Sequence, residues 1–214
     1  MTKKILITGA NGQLGHEMRN ALKGNNRFEC IFTDVAELDI CNTEAVKQTM
    51  ANNHIDYIVN CAAYTQVDKA EDNAELCKKI NTDAVENLAR AAADYGARMI
   101  HISTDYVFNG RGYRPYTEDM VPDPQSVYGS TKLEGEKILT DICPESIIIR
   151  TAWLYSPYGN NFVKTMLHLG EEREELSVVA DQIGTPTCAA DLAQAILVIL
   201  QADTFVPGTY HFSD

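Results

Sequence analysis

Short runs of apolar, largely β-branched residues recur along the chain, separated by stretches with helical periodicity. The runs are "KKILIT" (3–8), "FECIFT" (28–33), "IDYIVN" (55–60), "RMIHIS" (98–103) and "SIIIRT" (146–151), and helices are expected near 12–22, 43–53, 73–95, 127–143, 162–170 and 189–201. A strand that is apolar on both faces has no solvent side, and strands alternating with helices are joined by crossovers. The pattern therefore predicts an α/β fold: a doubly wound parallel sheet of the Rossmann type, covered on both sides. At 214 residues and 45% hydrophobic, the chain is long enough to bury one substantial core.

The first strand runs into "ITGANGQLG", which sets Gly9, Gly12 and Gly15 between a strand and an amphipathic helix. A dinucleotide fold needs glycines here for a tight turn, for close approach of a diphosphate to the backbone, and for packing of helix on strand. The spacing is G-x-x-G-x-x-G, and the strand before it and helix after it carry more weight than the glycines alone. Asp34 ends the second strand, about 20 residues on, where a carboxylate can accept hydrogen bonds from an adenosine ribose. With no Arg or Lys beside Asp34 to meet a 2′-phosphate, NADH is favoured over NADPH. Residues 1–150 are read as an NAD(P)-binding Rossmann domain. Residues 151–214 are read as the remainder of that core with part of a substrate-binding region, and the closing "GTYHFSD" suggests that a C-terminal portion is missing.

Other function classes are disfavoured. A net charge of −12 without a basic stripe argues against a nucleic-acid partner. The longest apolar stretch, near Leu192 to Leu200, is about half a membrane span, and no apolar signal core follows the N-terminal lysines, so a cytoplasmic protein is expected. The six cysteines show no C-x-x-C spacing and read as thiols, with no metal site expected.

Tyr128 and Lys132 stand four residues apart at the start of a predicted helix and so share a face. Ketone reduction needs a proton donor at the oxygen, and a lysine ammonium beside a tyrosine favours its phenolate. A change of about 3 pKa units corresponds to roughly 4 kcal/mol. Thr104, at the carboxyl end of the "RMIHIS" strand, supplies a hydroxyl for the same carbonyl oxygen, with Asp105 beside it. Carboxyl ends of parallel strands are where ligands sit in open α/β sheets. The long segment 113–126 then brings the Tyr/Lys helix opposite Thr104.

Together "TGANGQLG", "NCAAYTQVDKAE", "STDYVFNG", "VYGSTKLEGE" and "DQIGTPT" resemble the dTDP-4-dehydrorhamnose reductase family, in the extended nucleotide-sugar branch of the short-chain dehydrogenase/reductase superfamily. The resemblance runs in unbroken order from Lys4 to the last residue. It implies hydride transfer from NADH or NADPH to the 4-keto group of dTDP-4-dehydro-L-rhamnose, giving dTDP-L-rhamnose. It also implies that Gly12, Gln13 and Leu14 meet the cofactor diphosphate, Asp34 the adenosine ribose, and Asp39 with Ile40 the adenine. Ala63, Tyr64 and Thr65 would line the middle of the cofactor. Tyr128 is then the proton donor, Lys132 its tuner and a ligand of the nicotinamide ribose, and Thr104, Asp105 and Trp153 the substrate contacts. Arg111, Arg114 and Arg150 are candidates for the sugar-nucleotide diphosphate by charge alone. A homodimer is left open.

Two other readings share the fold. A nucleotide-sugar epimerase or dehydratase is one, although Thr104 is followed by Asp105 and Tyr106 rather than by the acid pair of an elimination. A non-catalytic NAD(P)-binding subunit is the other, and it has no need of the Tyr/Lys/Thr set.

Overall fold

In the computed structural model, which describes residues 2–213, the expected strands and helices form one parallel sheet with helices on both faces. In chain order the elements are β1 (Lys3–Thr8), α1 (Gln13–Ala21), β2 (Phe28–Phe32), α2 (Thr43–Asn53), β3 (Tyr57–Asn60), α3 (Val67–Asp72), α4 (Ala74–Lys78) and α5 (Ala84–Tyr95). There follow β4 (Arg98–Thr104), α6 (Val127–Ile142), β5 (Ile147–Thr151), β6 (Leu154–Tyr155), α7 (Phe162–Glu172), β7 (Thr187–Cys188), α8 (Ala189–Gln201) and β8 (Gly208–His211). The main sheet has the order β2-β1-β3-β4-β5-β8, with every pairing parallel. From β1 the chain builds outward to β2 on one side and to β3 on the other. A crevice therefore opens at the carboxyl ends of β1 and β3, the switch point at which such sheets take ligands.

The two-residue period of the strands divides the core. Ile5, Ile7, Tyr57, Val59, Ile147 and Ile149 face α1 and α8, meeting Met18, Leu192 and Ile196. Leu6, Ile58, Met99 and Ile148 face the other way, meeting Val46 and Met50 of α2, Leu88 of α5 and Leu139 of α6. Each buried aliphatic side chain contributes about 1.5–3 kcal/mol, so both strand faces must be apolar, as the sequence has them.

The helix expected over 73–95 is instead α4 and α5 joined by a π-turn at Lys79–Asp83. Its apolar periodicity runs on without a break, so the cause lies in packing. At this turn α6 comes so close that a Cβ on Gly135 would lie 2.3 Å from the Asn81 carbonyl oxygen. The short α3 and the two-residue β6/β7 pair are further additions, too brief for a periodic pattern to announce. Among the described residues no helix is long and apolar enough to cross a membrane.

Candidate active site

After β1 the chain turns at Gly9, whose φ of 61° lies in the region that favours glycine. A Cβ there would sit 2.7 Å from the Ala62 backbone, and one on Gly15 would sit 2.4 Å from the Gly9 carbonyl oxygen. Gly12 caps α1 without a side-chain hydrogen bond, which leaves the first-turn N–H groups to an anion. A cradle that side chains would fill, in front of an uncapped helix N-terminus, fits the diphosphate of a dinucleotide. Leu14 is buried beneath it and offers only its backbone. The Gln13 side chain is turned away: Oε1 accepts from Asn161 Nδ2 at 2.8 Å, and Nε2 donates to the Leu154 carbonyl at 3.3 Å. What Gln13 presents to a diphosphate is thus backbone, while its amide latches the loop onto segment 154–161.

Asp34 stands at the rim of this loop. Its Oδ2 accepts from the Asn11 backbone N–H at 2.9 Å and its Oδ1 from that of Val35 at 2.8 Å. Glu37 adds a second carboxylate, accepting from the Asp34 N–H at 2.9 Å. Asp39 is exposed and turned onto the Cys41 N–H. Ile40 is 7% exposed and belongs to the core, which leaves Asp39 as the exposed member of that pair. Beyond β3, Ala63 and Tyr64 are half-buried and Thr65 is exposed. The Tyr64 backbone is held from both sides by Asn81, which accepts from its N–H at 2.8 Å and donates to its carbonyl at 3.1 Å. Asn81 lies in the π-turn and is 1% exposed. Sequence reasoning missed it; the available signal was an asparagine inside a helical pattern, where its side chain competes with the backbone.

The expected chemistry-bearing residues converge at the carboxyl end of β4. Thr104 Oγ1 donates to Asp105 Oδ1 at 3.1 Å and accepts from the Tyr106 N–H at 3.2 Å. Tyr128, in the first turn of α6, is 9% exposed, with Thr104 among the groups acting on its phenol. Gly129 permits the close approach of α6, since a Cβ there would lie 2.2 Å from the Tyr106 carbonyl oxygen. Burial pushes the Tyr128 phenol above its ordinary value; Thr104 opposes the rise and Asp105 adds to it. Burial likewise raises the Asp105 carboxyl.

Lys132 is 1% exposed and lowered to about 8, chiefly by burial. Its ammonium donates to the Ile102 carbonyl at 2.7 Å and lies 3.3 Å from His101 Nε2. At the phenol burial is the largest influence, while the amine donates to β4.

Trp153 follows β5 with a φ of 49°, a strained backbone for a bulky residue and of the kind that clusters at functional sites. Its indole packs edge-on against Phe162, and a Cβ on Gly184, in "DQIGTPT", would come within 3.1 Å of Nε1. Arg150 is not available to a ligand. It forms a buried bidentate pair with Glu136, at 3.0 and 2.6 Å, whereas Arg111 and Arg114 are exposed. Among the described residues, the hydroxyls of Ser103 and Thr151, at this end of β4 and β5, are buried without a protein partner.

The sequence profile of the family described as the RmlD substrate binding domain matches residues 3–214. The dTDP-4-dehydrorhamnose reductase of Escherichia coli (strain K12) is 47% identical, over 97% of this chain and 71% of its own. The crystal structure of a dTDP-4-dehydrorhamnose reductase from Clostridium acetobutylicum superposes with a TM-score of 0.94 at 50% identity, over 98% of this chain and 74% of that one. The enzyme of that name from Bacillus anthracis, solved in complex with NADP, superposes with a TM-score of 0.95 at 44% identity, over 100% of this chain and 75% of its own.

Proposed function

The chain belongs to the RmlD substrate-binding-domain family, that of the dTDP-4-dehydrorhamnose reductases, and from that premise we propose a residue-level account of its reaction. The protein is an NAD(P)H-dependent reductase of dTDP-rhamnose biosynthesis, acting on the 4-keto group of dTDP-4-dehydro-L-rhamnose. A bound nicotinamide supplies the hydride. The residues of this chain bind and orient both reactants and handle the proton.

The observation that carries the assignment is the docking of α6 on the turn after β4, where Gly129 against the Tyr106 carbonyl brings the Tyr128 phenol to the Thr104 hydroxyl. Burial keeps the phenol protonated at neutral pH, so Tyr128 holds the proton that the ketone oxygen needs as hydride reaches its carbon. Thr104 is fixed by Asp105 and the Tyr106 N–H and orients the same oxygen. Lys132, anchored on Ile102, is the donor for the nicotinamide ribose. Gly9, Gly12 and Gly15 with the first turn of α1 take the diphosphate. Ala63, Tyr64 and Thr65, held by Asn81, line the cofactor's middle. Asp105 and Trp153 face the sugar.

Asp34 and Glu37 together present carboxylates to the adenosine ribose, which supports NADH over NADPH because a 2′-phosphate would meet like charge. The expected outcome is tighter binding of NADH, and Asp34→Asn should narrow the gap. Equal affinities in the unsubstituted chain would refute the preference.

The test of the reductase assignment is NADH oxidation with dTDP-4-dehydro-L-rhamnose, comparing the unsubstituted chain with Tyr128→Phe. Loss of the acid is expected to slow turnover by about 100-fold to 10,000-fold, with NADH affinity retained in calorimetric titration. Unchanged turnover would remove Tyr128 from the role.

A further inference from the structure

His101 lies inside β4 with no exposed surface, and the reaction described above leaves it without a task. Both of its ring nitrogens face nitrogen atoms. Asn60 Nδ2 is 3.0 Å from Nδ1, and Lys132 Nζ is 3.3 Å from Nε2. The orientation of Asn60 is fixed, because its Oδ1 accepts from the Ala62 backbone N–H at 3.2 Å and from the Thr8 hydroxyl at 2.6 Å. Turning the amide over would set two N–H groups against each other. Asn60 therefore donates to Nδ1, which must be the bare nitrogen.

Burial, with the Lys132 charge, holds the ring well below the ordinary histidine value, so it is neutral. A neutral imidazole has one donor and one acceptor. With Nδ1 accepting, Nε2 carries the hydrogen and points it at the lysine nitrogen. An ammonium has no lone pair to receive that hydrogen, whereas a neutral amine has one.

We propose that His101 is a positioning residue for Lys132: with its tautomer set by Asn60, it presents an N–H that favours the uncharged amine and holds that amine on the Ile102 carbonyl. The other titratable groups acting on Lys132 pull the opposite way. Glu136, one turn along α6, and Cys77, from α4, both favour the ammonium. Glu136 is committed to Arg150 by its bidentate pair. His101 is the neighbour that opposes the charge.

The consequence for catalysis rests on the roles given to Tyr128 and Lys132 above. With its amine held on the Ile102 carbonyl, Lys132 is kept in place for the nicotinamide ribose beside the helix face that carries Tyr128, and His101 acts on the reaction only through that placement.

The test reads the lysine directly and does not depend on turnover. In protein labelled at the lysine side chains, with the Lys132 signal assigned from Lys132→Met, its titration is followed by NMR in the unsubstituted chain, in His101→Gln and in His101→Leu. Removing the N–H is expected to raise the Lys132 midpoint by about one unit, a tenfold change in proton affinity, in both variants. An unmoved or lowered midpoint in a folded variant overturns the proposal. Should neither variant fold, long-range proton–nitrogen spectra of the unsubstituted chain decide it: a hydrogen on Nε2 of His101 is expected, and a hydrogen on Nδ1 overturns it. Because these readouts need neither cofactor nor sugar nucleotide, failure here leaves the reductase assignment standing, and failure of that assignment leaves the titration interpretable.

Discussion

Burial acts on Tyr128 and Lys132 in opposite directions because it disfavours whichever form is charged, pushing the phenol up and the amine down to about 8. For the lysine this makes a prediction about stability. The unfolded chain has the ordinary value near 10.4, so between about pH 8 and pH 10 this lysine binds more protons in the unfolded than in the folded chain, and its contribution to stability must rise with pH across that window. Replacing Lys132 with Met removes the effect. The stability difference between Lys132→Met and the unsubstituted chain, taken from urea unfolding, should shift by about 2 kcal/mol in favour of the lysine between pH 7 and pH 9.5. Comparing two pH values cancels the cost of leaving the Ile102 carbonyl unpaired, and a pH-independent difference would show that the amine is not perturbed. At this scale the placement of Tyr128 and Lys132 on one helix and of Thr104 at a strand end was legible, because spacing and a strand end are linear properties. The sequence did not disclose Asn60, Asn81 or His101. A polar residue within "YIVN" or "RMIHIS" gives no sign of what it will face across the sheet.

Element positions were legible wherever burial imposes a period, as in the strands from β1 to β5 and in α6. They were illegible wherever the cause is a close approach between elements distant in sequence. Helix α6 shows both cases. Its limits follow from Ser126, whose side chain caps the Gly129 N–H at 3.0 Å, and from the apolar pattern up to Ile142. Its placement follows from Gly129 and Gly135, which lie against the carbonyls of Tyr106 and Asn81. Both contacts are with backbone, which cannot swing aside. Gly129→Ala and Gly135→Ala should each cost about 1–3 kcal/mol by overpacking, read as a lower urea midpoint. Gly129→Ala should in addition lower turnover, since it separates Tyr128 from Thr104; a fully active, fully stable Gly129→Ala would refute the docking. The latch between Gln13 and segment 154–161 joins the glycine loop to the segment that follows Trp153. Gln13→Ala is therefore expected to weaken sugar-nucleotide binding more than NADH binding in paired calorimetric titrations, and equal losses would count against a coupling role.

At the scale of the molecule, residues beyond 150 supply the remainder of the sheet and its helical cover. Helix α8 packs against α1, and β8 pairs with β5 from Ile147↔Gly208 to Arg150↔His211, so the last described elements complete the core begun by the first. Outside that core lie two exposed stretches. One is the loop carrying Arg111 and Arg114, and the other runs from α7, none of whose residues is buried, through Arg173 to Gly184. Exposed backbone with few packed side chains opens at low free energy, and proteolysis reports such opening. Trypsin should therefore cut first after Arg111 and Arg173, since the bond after Arg114 leads into Pro115 and resists the enzyme. The pieces should still elute together from a sizing column without denaturant, because β4, β5 and β8 belong to different fragments yet pair with one another in the sheet. Early cleavage within β1 to β5, or release of the fragment that begins after Arg173, would mean that the two ends of the chain do not share one core.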